Sequence, residues 1–200
     1  MNTDNKSLTS RERILQRVRA NRPHAVSHPE VPIYSIAGNP LDNFINHVEG
    51  FDGRVVEFES REDAIGWLRE NVDQSDSALV FSGVDGYVGN VTLDQLPSPG
   101  DAHRLKVSVG EGLLGIGETG SVLVAPSTFG RMANGLLAEN LYLLLDRTKI
   151  VDGLQNAYRQ MNLATIQYTS LFSGPSATAD IEAVHITGAQ GPVSLTILLY

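Results

Sequence analysis

The sequence predicts an α/β protein whose mainly parallel sheet is flanked by helices. Segments with strand-like patterns alternate along the chain with segments of helical periodicity, and strands separated by helices imply crossover connections between parallel strands. Residues 121–125 and 141–145 are almost continuously apolar, which is typical of strands covered on both faces. The chain has 200 residues, of which 42% are hydrophobic, enough for one domain with a substantial core. We therefore expect one α/β domain.

This domain is predicted to occupy residues 41–200 and to follow an N-terminal appendage, residues 1–40. Residues 1–22 contain six basic and two acidic side chains, and since the net charge of the chain is −8, the remainder carries −12. Residues 23–40 contain four prolines and little periodicity. We interpret this second part of the appendage as an extended linker.

The basic segment itself is predicted to form an amphipathic helix. Thr9 or Ser10 can cap its N-terminus, and the apolar residues Ile14, Leu15 and Val18 share one face. A helix of this kind either packs on its own domain as a solvated arm or docks on an acidic partner. The sequence leaves both alternatives open.

The remaining strands of the domain are predicted from apolar or alternating runs bounded by turn residues. A glycine-rich loop containing Gly83, Gly86 and Gly89 separates two of them. The predicted strands cover residues 54–59, 77–81, 104–109 and 194–199.

Helices are predicted between these strands from their periodicity and capping signals. Phe44, Ile45 and Val48 share one face of a helix, and Ser60 with Asp63 forms a capping box for the next. Two later helices are predicted, a short one over residues 131–137 and a longer one over residues 150–161.

Composition makes several classes of protein improbable. With 15 Lys and Arg against 23 Asp and Glu, the chain lacks the clustered positive charge that general nucleic-acid binding requires. It contains no cysteine, so we expect no disulfide, thiolate nucleophile or cysteine-ligated iron–sulfur cluster on this chain. The five histidines lack metal-site spacing, and we expect no metal. Without an apolar stretch approaching the roughly 20 residues of a membrane span, or a secretory signal, we expect a cytoplasmic protein.

Two overlapping matches to the G-x-G-x-x-G dinucleotide pattern are present and are judged to be coincidental. They comprise Gly110, Gly112 and Gly115, then Gly115, Gly117 and Gly120. The pattern binds pyrophosphate because its glycine turn leads into the N-terminus of a helix, whereas here the second match leads into a predicted strand.

The chemistry of the chain is predicted to lie in three polar, glycine-containing segments, at residues 118–121, 174–182 and 188–192. Glycine permits tight turns, while carboxylates and hydroxyls supply polar contacts, a combination that suits a pocket at strand ends. Glu118 is the candidate catalytic residue. It is either a partly desolvated acid–base or nucleophilic group or a structural acceptor of turn N–H groups. The candidate ligand-binding residues are Thr119, Gly120, Ser121, Ser176, Thr178, Asp180 and Gln190.

These three segments, read as E-T-G-S, G-P-S-x-T-A-D-I-E and G-x-x-G-P, resemble the LUD domain family, and within it the lactate utilization protein C group. The resemblance implies a fold similar to the sugar-phosphate isomerase and coenzyme A transferase group. It also implies an accessory, cluster-free subunit of a system that oxidises L-lactate to pyruvate. Such a chain would bind a small anionic metabolite, while the iron–sulfur clusters would lie on partner subunits.

Two positions depart from the family pattern. The family usually has Arg after the Ser of G-P-S and His within the last motif, where this chain has Ala177 and Gln190. Arg would offer a fixed fork to a carboxylate and His could exchange protons, whereas Gln retains only neutral hydrogen bonding and Ala neither. Two other hypotheses therefore stand beside the accessory subunit: a stand-alone isomerase or acyl-transferase using Glu118, and a degenerate ligand-binding or scaffold protein.

Overall fold

The computed structural model describes residues 8–24, 26–27, 29–75, 77–161, 168–180 and 184–200. The chain divides into two compact units, Met1–Pro32 and Ile33–Tyr200. Six α-helices are described: α1 (Ser10–Ala20), α2 (Pro40–Gly50), α3 (Arg61–Asn71), α4 (Pro126–Phe129), α5 (Met132–Leu136) and α6 (Leu154–Gln160). Among the described helices, none combines the length and the apolar character that crossing a bilayer requires.

Helix α1 in the first unit begins where the sequence predicts. The Thr9 hydroxyl accepts a hydrogen bond from the Glu12 backbone N–H, and the Glu12 carboxylate accepts one from the Thr9 backbone N–H. This reciprocal capping box fixes the N-terminus of the helix. The described residues between α1 and α2 form no helix or strand.

The second unit contains eleven strands among its described residues. In chain order they are β1 (Arg54–Glu57), β2 (Val80–Ser82), β3 (Val107–Glu111), β4 (Leu114–Ile116), β5 (Ser121–Val124), β6 (Asn140–Leu145), β7 (Ile150–Val151), β8 (Ser170–Phe172), β9 (Ala177–Thr178), β10 (Ile186–Thr187) and β11 (Ser194–Leu199). Five of them form a central sheet in the order β1-β11-β6-β3-β2, and every neighbouring pair is parallel. The mainly parallel α/β fold is thus confirmed.

Helix α3 covers one face of the central sheet. The Ser60 hydroxyl accepts a hydrogen bond from the Asp63 N–H and begins the helix, as its capping signal predicts. Ala64 and Leu68 on its inner face are completely buried and pack with Leu144 of β6.

The opposite face of the sheet packs against α2, the α4–α5 pair and a second sheet. Phe44 of α2, Phe129 of α4 and Val122 of β5 are completely buried in one cluster with Leu143 and Ile197 of the central strands. Since these side chains come from elements far apart in sequence, this cluster holds the second sheet in a fixed place next to the parallel strands.

The second sheet has the strand order β7-β4-β5-β8, in which β4 and β7 are parallel and the other pairs antiparallel. Strands β9 and β10 form a separate antiparallel hairpin. The apolar run at 121–125 is therefore a buried strand, as predicted, but it belongs to this mixed sheet and not to the parallel one. Four buried residues in a row indicate that a strand is covered on both faces, but they do not indicate whether the neighbouring strands run parallel or antiparallel to it.

Three predicted elements start three or four residues later than expected. The helix expected over 150–161 starts at Leu154, because residues 150–151 pair with β4 as strand β7. The strand expected over 104–109 covers Val107–Glu111, since a 3-10 turn occupies Pro99–Arg104. The strand expected over 77–81 covers Val80–Ser82.

Candidate functional site

Glu118 lies at the N-terminus of helix α6. Its carboxylate Oε2 accepts a hydrogen bond from the Leu154 backbone N–H at 2.9 Å, and its own N–H donates to the Asp152 carbonyl at 2.8 Å. A carboxylate at this position pairs with an otherwise unsatisfied N–H group and with the positive end of the helix dipole. The exposed Glu118 side chain therefore stabilises the start of α6, in agreement with the structural alternative that the sequence left open.

Gly120 allows the turn before β5 to pack against α2. Its φ of +61° lies in the left-handed region, and a Cβ at this position would lie 2.6 Å from the Val48 nitrogen and 2.8 Å from the His47 Cβ. The His47 imidazole Nδ1–H donates to the Gly117 carbonyl at 3.0 Å on the same side. The turn is thus fixed by a close approach that only glycine permits.

A chain of three hydroxyl groups leads from this turn to the C-terminal segments. The Thr119 Oγ1 and Ser121 Oγ atoms are 2.7 Å apart, and the Ser121 and Ser173 Oγ atoms are 2.5 Å apart. Ser121 is 3% exposed, so its hydroxyl is held between its two neighbours. Because hydroxyl groups both donate and accept, Ser173 can present either a donor or a lone pair beyond this chain.

Backbone hydrogen bonds join the second and third motifs. The Ser176 N–H donates to the Pro192 carbonyl at 2.8 Å, and the Ser176 carbonyl accepts from the Gly188 N–H at 2.6 Å. A Cβ on Gly191 would lie 3.1 Å from the Ser176 Cβ, so the two segments are in close contact. The structure therefore brings these two sequence-distant motifs together.

Two cavities border these motifs, and we call them together the hydroxyl cleft. They share Leu171, Ser173 and Gly174 as lining residues. The first has a volume of about 380 Å³ and is also lined by Gly50, Phe51, Asp52, Pro175, Ala177 and His185. The second has a volume of about 300 Å³ and is also lined by Leu136, Ser170, Phe172, Ser176, Gln190, Gly191 and Pro192.

The hydroxyl cleft carries little charge. Of its described lining residues, Asp52 and His185 are the titratable ones, and both are exposed. Ser173, Ser176 and Gln190 supply neutral hydrogen-bonding groups instead. Such a lining suits a ligand with several hydrogen-bonding atoms and low charge better than one with several negative charges.

The predicted site residues fall into three groups. Ser176 and Gln190 line the cleft directly, and Thr119 and Ser121 connect to it through Ser173. Glu118 and Gly120 hold the turn in place. Thr178 and Asp180 are described, but neither is among the lining residues of the two cavities.

The hairpin accounts for the positions of these last two residues. Thr178 pairs with Ile186 across β9 and β10, and the Asp180 N–H donates to the Thr178 hydroxyl at 3.4 Å. The second carboxylate of that motif, Glu182, lies outside the described residues.

A second cluster, missed in the sequence, lies where the parallel strands end, and we call it the strand-end cluster. Glu111 at the end of β3 accepts hydrogen bonds from the Arg61 guanidinium at 2.9 and 3.4 Å and from the Tyr200 phenol at 2.9 Å. Arg61 also donates to the Asp85 carbonyl at 3.0 Å, beside a cavity of about 370 Å³ that follows β2. Ligands of open α/β sheets bind at this edge, so the signal in the sequence was a carboxylate, Glu111, two residues after the strand predicted over 104–109.

The contacts within the strand-end cluster determine the ionisation states of its residues. Burial raises the pKa of the Glu111 carboxyl, but the hydrogen bonds from Arg61 and Tyr200 and the Arg61 charge outweigh burial and lower it below its ordinary value. Burial, followed by the hydrogen bond to Glu111, raises the pKa of Tyr200 to about 12. Glu111 is therefore ionised and Tyr200 protonated at neutral pH.

Comparison with known proteins identifies the family. The LUD domain family model matches residues 101–200, which contain all three motifs. A crystal structure of a DUF162 family protein from Deinococcus radiodurans shares the fold, with a TM-score of 0.59 and 15% sequence identity over 80% of this chain and 95% of that chain. None of the curated proteins matches the chain significantly. The chain belongs to the LUD domain family, which is associated with lactate utilisation.

Proposed function

We propose that this protein is an accessory, cluster-free subunit of a system that oxidises L-lactate to pyruvate, of the lactate utilization protein C type. The observation that carries the proposal is that the family match and the three motifs lie in the same half of the chain. Two of those motifs line one cleft, and the first is linked to it through hydroxyl groups.

The ligand proposed for the hydroxyl cleft is a small monoanion of the lactate and pyruvate class. Ser173, Ser176 and Gln190 offer donors to a carboxylate and to a hydroxyl or keto oxygen. The His185 imidazole, in the lining of the first cavity, adds a further hydrogen-bonding group. A ligand with one carboxylate needs fewer positively charged contacts than a phosphate ester does. The small number of charged residues in the hydroxyl cleft therefore supports a monocarboxylate ligand.

The redox chemistry is assigned to partner subunits. The chain contains no cysteine to ligate an iron–sulfur cluster, and its described residues contain no group of three His, Asp or Glu placed to hold a metal ion. We therefore propose that the clusters lie on separate, cysteine-rich chains.

Anaerobic purification of the tagged chain from its native cells at native expression tests this assignment. We expect it to co-purify with proteins whose visible absorption and iron content show clusters. Recovery of the chain alone would contradict the accessory role.

A thermal-shift panel of L-lactate, pyruvate, coenzyme A esters and sugar phosphates tests the ligand. At 100 times its dissociation constant a specific ligand stabilises the folded state by about 2.7 kcal/mol. For a domain of this size we expect a rise in Tm of about 5–11 °C with lactate or pyruvate. If neither L-lactate nor pyruvate raises the Tm of the wild type, and the Ser173→Ala variant gives the same result, a scaffold protein would be favoured.

The strand-end cluster favours a second candidate, a stand-alone isomerase or acyl-transferase in which Glu111 takes the role that the sequence assigned to Glu118. Glu111 lies at the edge where such sheets bind ligands, and its side chain is 33% exposed. A shift with sugar phosphates or coenzyme A esters that is lost in Glu111→Gln and kept in Glu118→Gln would support this candidate over the first.

A further inference from the structure

The two cavities of the hydroxyl cleft differ in their chemistry. The second contains the hydroxyl and amide groups that the proposed function assigns to the carboxylate and the 2-oxygen of the ligand. The first adds apolar side chains from two distant parts of the chain, namely Phe51, Leu171, Pro175 and Ala177. Because the cavities share lining residues, an apolar wall lies next to the polar groups.

Phe51 is the largest side chain of this wall, and its backbone is fixed in place. Its N–H donates to the His47 carbonyl at 3.1 Å, at the end of α2. A Cβ on Gly174 would lie 2.6 Å from the Phe51 carbonyl oxygen and 3.0 Å from the Phe51 Cβ. The segment that carries Ser173 therefore packs directly against this backbone. Phe51 nevertheless remains 55% exposed and Leu171 41% exposed, so both offer apolar surface to a ligand.

The polar groups of the first cavity disfavour a second negative charge on the ligand. The described part of its lining contains neither lysine nor arginine. The Asp52 carboxylate lines this cavity, is exposed, and has no hydrogen bond or ion pair with any residue that the structure describes. A carboxylate on the ligand side chain would lose hydration against the apolar wall and be repelled by Asp52.

We propose that the hydroxyl cleft selects 2-hydroxy and 2-oxo monocarboxylic acids whose side chain is larger and more apolar than the methyl group of lactate, an aromatic side chain above all. This inference rests on the proposed function and specifies the substrate class of its cleft. The carboxylate and the 2-oxygen contact the polar groups of the second cavity, and the side chain packs on Phe51 and Leu171 in the first.

The size of the first cavity supports a large side chain. A methyl group leaves most of its volume of about 380 Å³ to water, whereas a benzyl group displaces that water and buries apolar surface on both partners. An aromatic ring gains further from an offset or edge-to-face contact with the Phe51 ring, beyond the area that it buries.

Calorimetric titration of the full-length protein with L-lactate, L-3-phenyllactate and L-malate tests the selection. We expect phenyllactate to bind at least tenfold more tightly than lactate, because its ring is removed from water. We expect malate, whose side chain ends in a second carboxylate, to bind no more tightly than lactate. Phenyllactate that binds no more tightly than lactate would overturn the proposal, as would malate that binds as tightly as phenyllactate.

Two aromatic truncations locate the contact. Phe51→Ala removes the ring but keeps the Cβ that faces Gly174. Tyr158→Ala is the matched control, because Tyr158 is 50% exposed on α6 and lines neither cavity. We expect Phe51→Ala to weaken phenyllactate binding at least fivefold and to change lactate binding less than twofold, while Tyr158→Ala changes neither. Equal weakening of both acids by Phe51→Ala would show a general effect on the cleft and contradict the proposal, as would unchanged phenyllactate binding.

The outcomes separate this inference from the proposed function. Tight lactate binding that gains nothing from a phenyl ring would refute the inference and leave the lactate-utilising subunit in place. Tight phenyllactate binding by a chain that is recovered alone from anaerobic native cells would refute the accessory role and leave the selectivity of the cleft in place. If none of the three acids binds, the inference falls together with the ligand proposed for the cleft, and co-purification decides the accessory role separately.

Discussion

Replacement of Gly120 by alanine is expected to destabilise the protein, whereas the same replacement at Gly66 is expected to stabilise it. At Gly120 the left-handed φ of +61° costs a non-glycine residue about 1–2 kcal/mol. The added Cβ would also lie 2.6 Å from the Val48 nitrogen, and overpacking of this kind costs about 1–3 kcal/mol. The free energy of unfolding should therefore fall by about 2–5 kcal/mol, which lowers Tm by about 4–20 °C in a domain of this size.

Gly66 provides the matched control, because it lies inside α3 and a Cβ there would meet no atom within 4 Å. Alanine in a helix interior is more stable than glycine by about 0.5–1 kcal/mol. Differential scanning calorimetry of the two variants and the wild type measures both changes. A Gly120→Ala variant that melts at or above the wild-type temperature would refute the close approach of this turn to α2.

Three further changes test the remaining parts of the site. Glu118→Ala should lower the free energy of unfolding by about 0.5–2 kcal/mol in urea titrations, because the Leu154 N–H loses its acceptor. Glu118→Gln should lower the free energy of unfolding by less. A larger decrease in Glu118→Gln than in Glu118→Ala would argue against a capping role. Folding lowers the Glu111 pKa, so the ionised carboxylate stabilises the fold above its ordinary value of 4.5 and loses this effect as the pH falls below it. The Tm difference between wild type and Glu111→Gln should therefore shrink from pH 6 to pH 3, and a constant difference would contradict the contacts with Arg61. Ser121→Ala should cost about 1 kcal/mol by breaking the hydroxyl chain, and an unchanged Tm would count against that chain.

Local signals were sufficient for most elements of the fold. The capping box at Thr9 and the N-cap hydrogen bond at Ser60 each start a helix at the expected residue. The apolar runs became buried strands, because a strand covered on both faces needs apolar residues at every position. What these signals lacked was the identity of the neighbouring strand, so the second sheet, to which β5 belongs, could not be predicted.

The break between β7 and α6 depended on contacts distant in sequence. Residues 150–154 fit a helical pattern, yet the Val151 and Asp152 carbonyls accept hydrogen bonds from the Gly117 and Glu118 N–H groups. These contacts hold Ile150–Val151 as a strand, and Gly153 then caps the helix. A periodicity argument has no access to a partner more than thirty residues away.

The candidate site could likewise be predicted from the sequence only in part. The sequence located the polar turns, and the structure joins them through Ser121, Ser173 and Ser176. Glu111 escaped notice because its partners, Arg61 and Tyr200, are 50 and 89 residues away and leave no local pattern. Residues that act through such distant partners become evident only when the strand order is known.

Calorimetric titration with L-lactate and pyruvate tests the central claim, that the converging polar turns form one binding cleft for a small monocarboxylate. The wild type and the exposed-loop control Ser77→Ala should bind one of the two acids with equal affinity. Ser173→Ala should bind it at least tenfold more weakly, as expected for the loss of a hydrogen bond to a charged group. Binding that is equally strong in Ser173→Ala, or no binding of either acid to the wild type, would contradict the account.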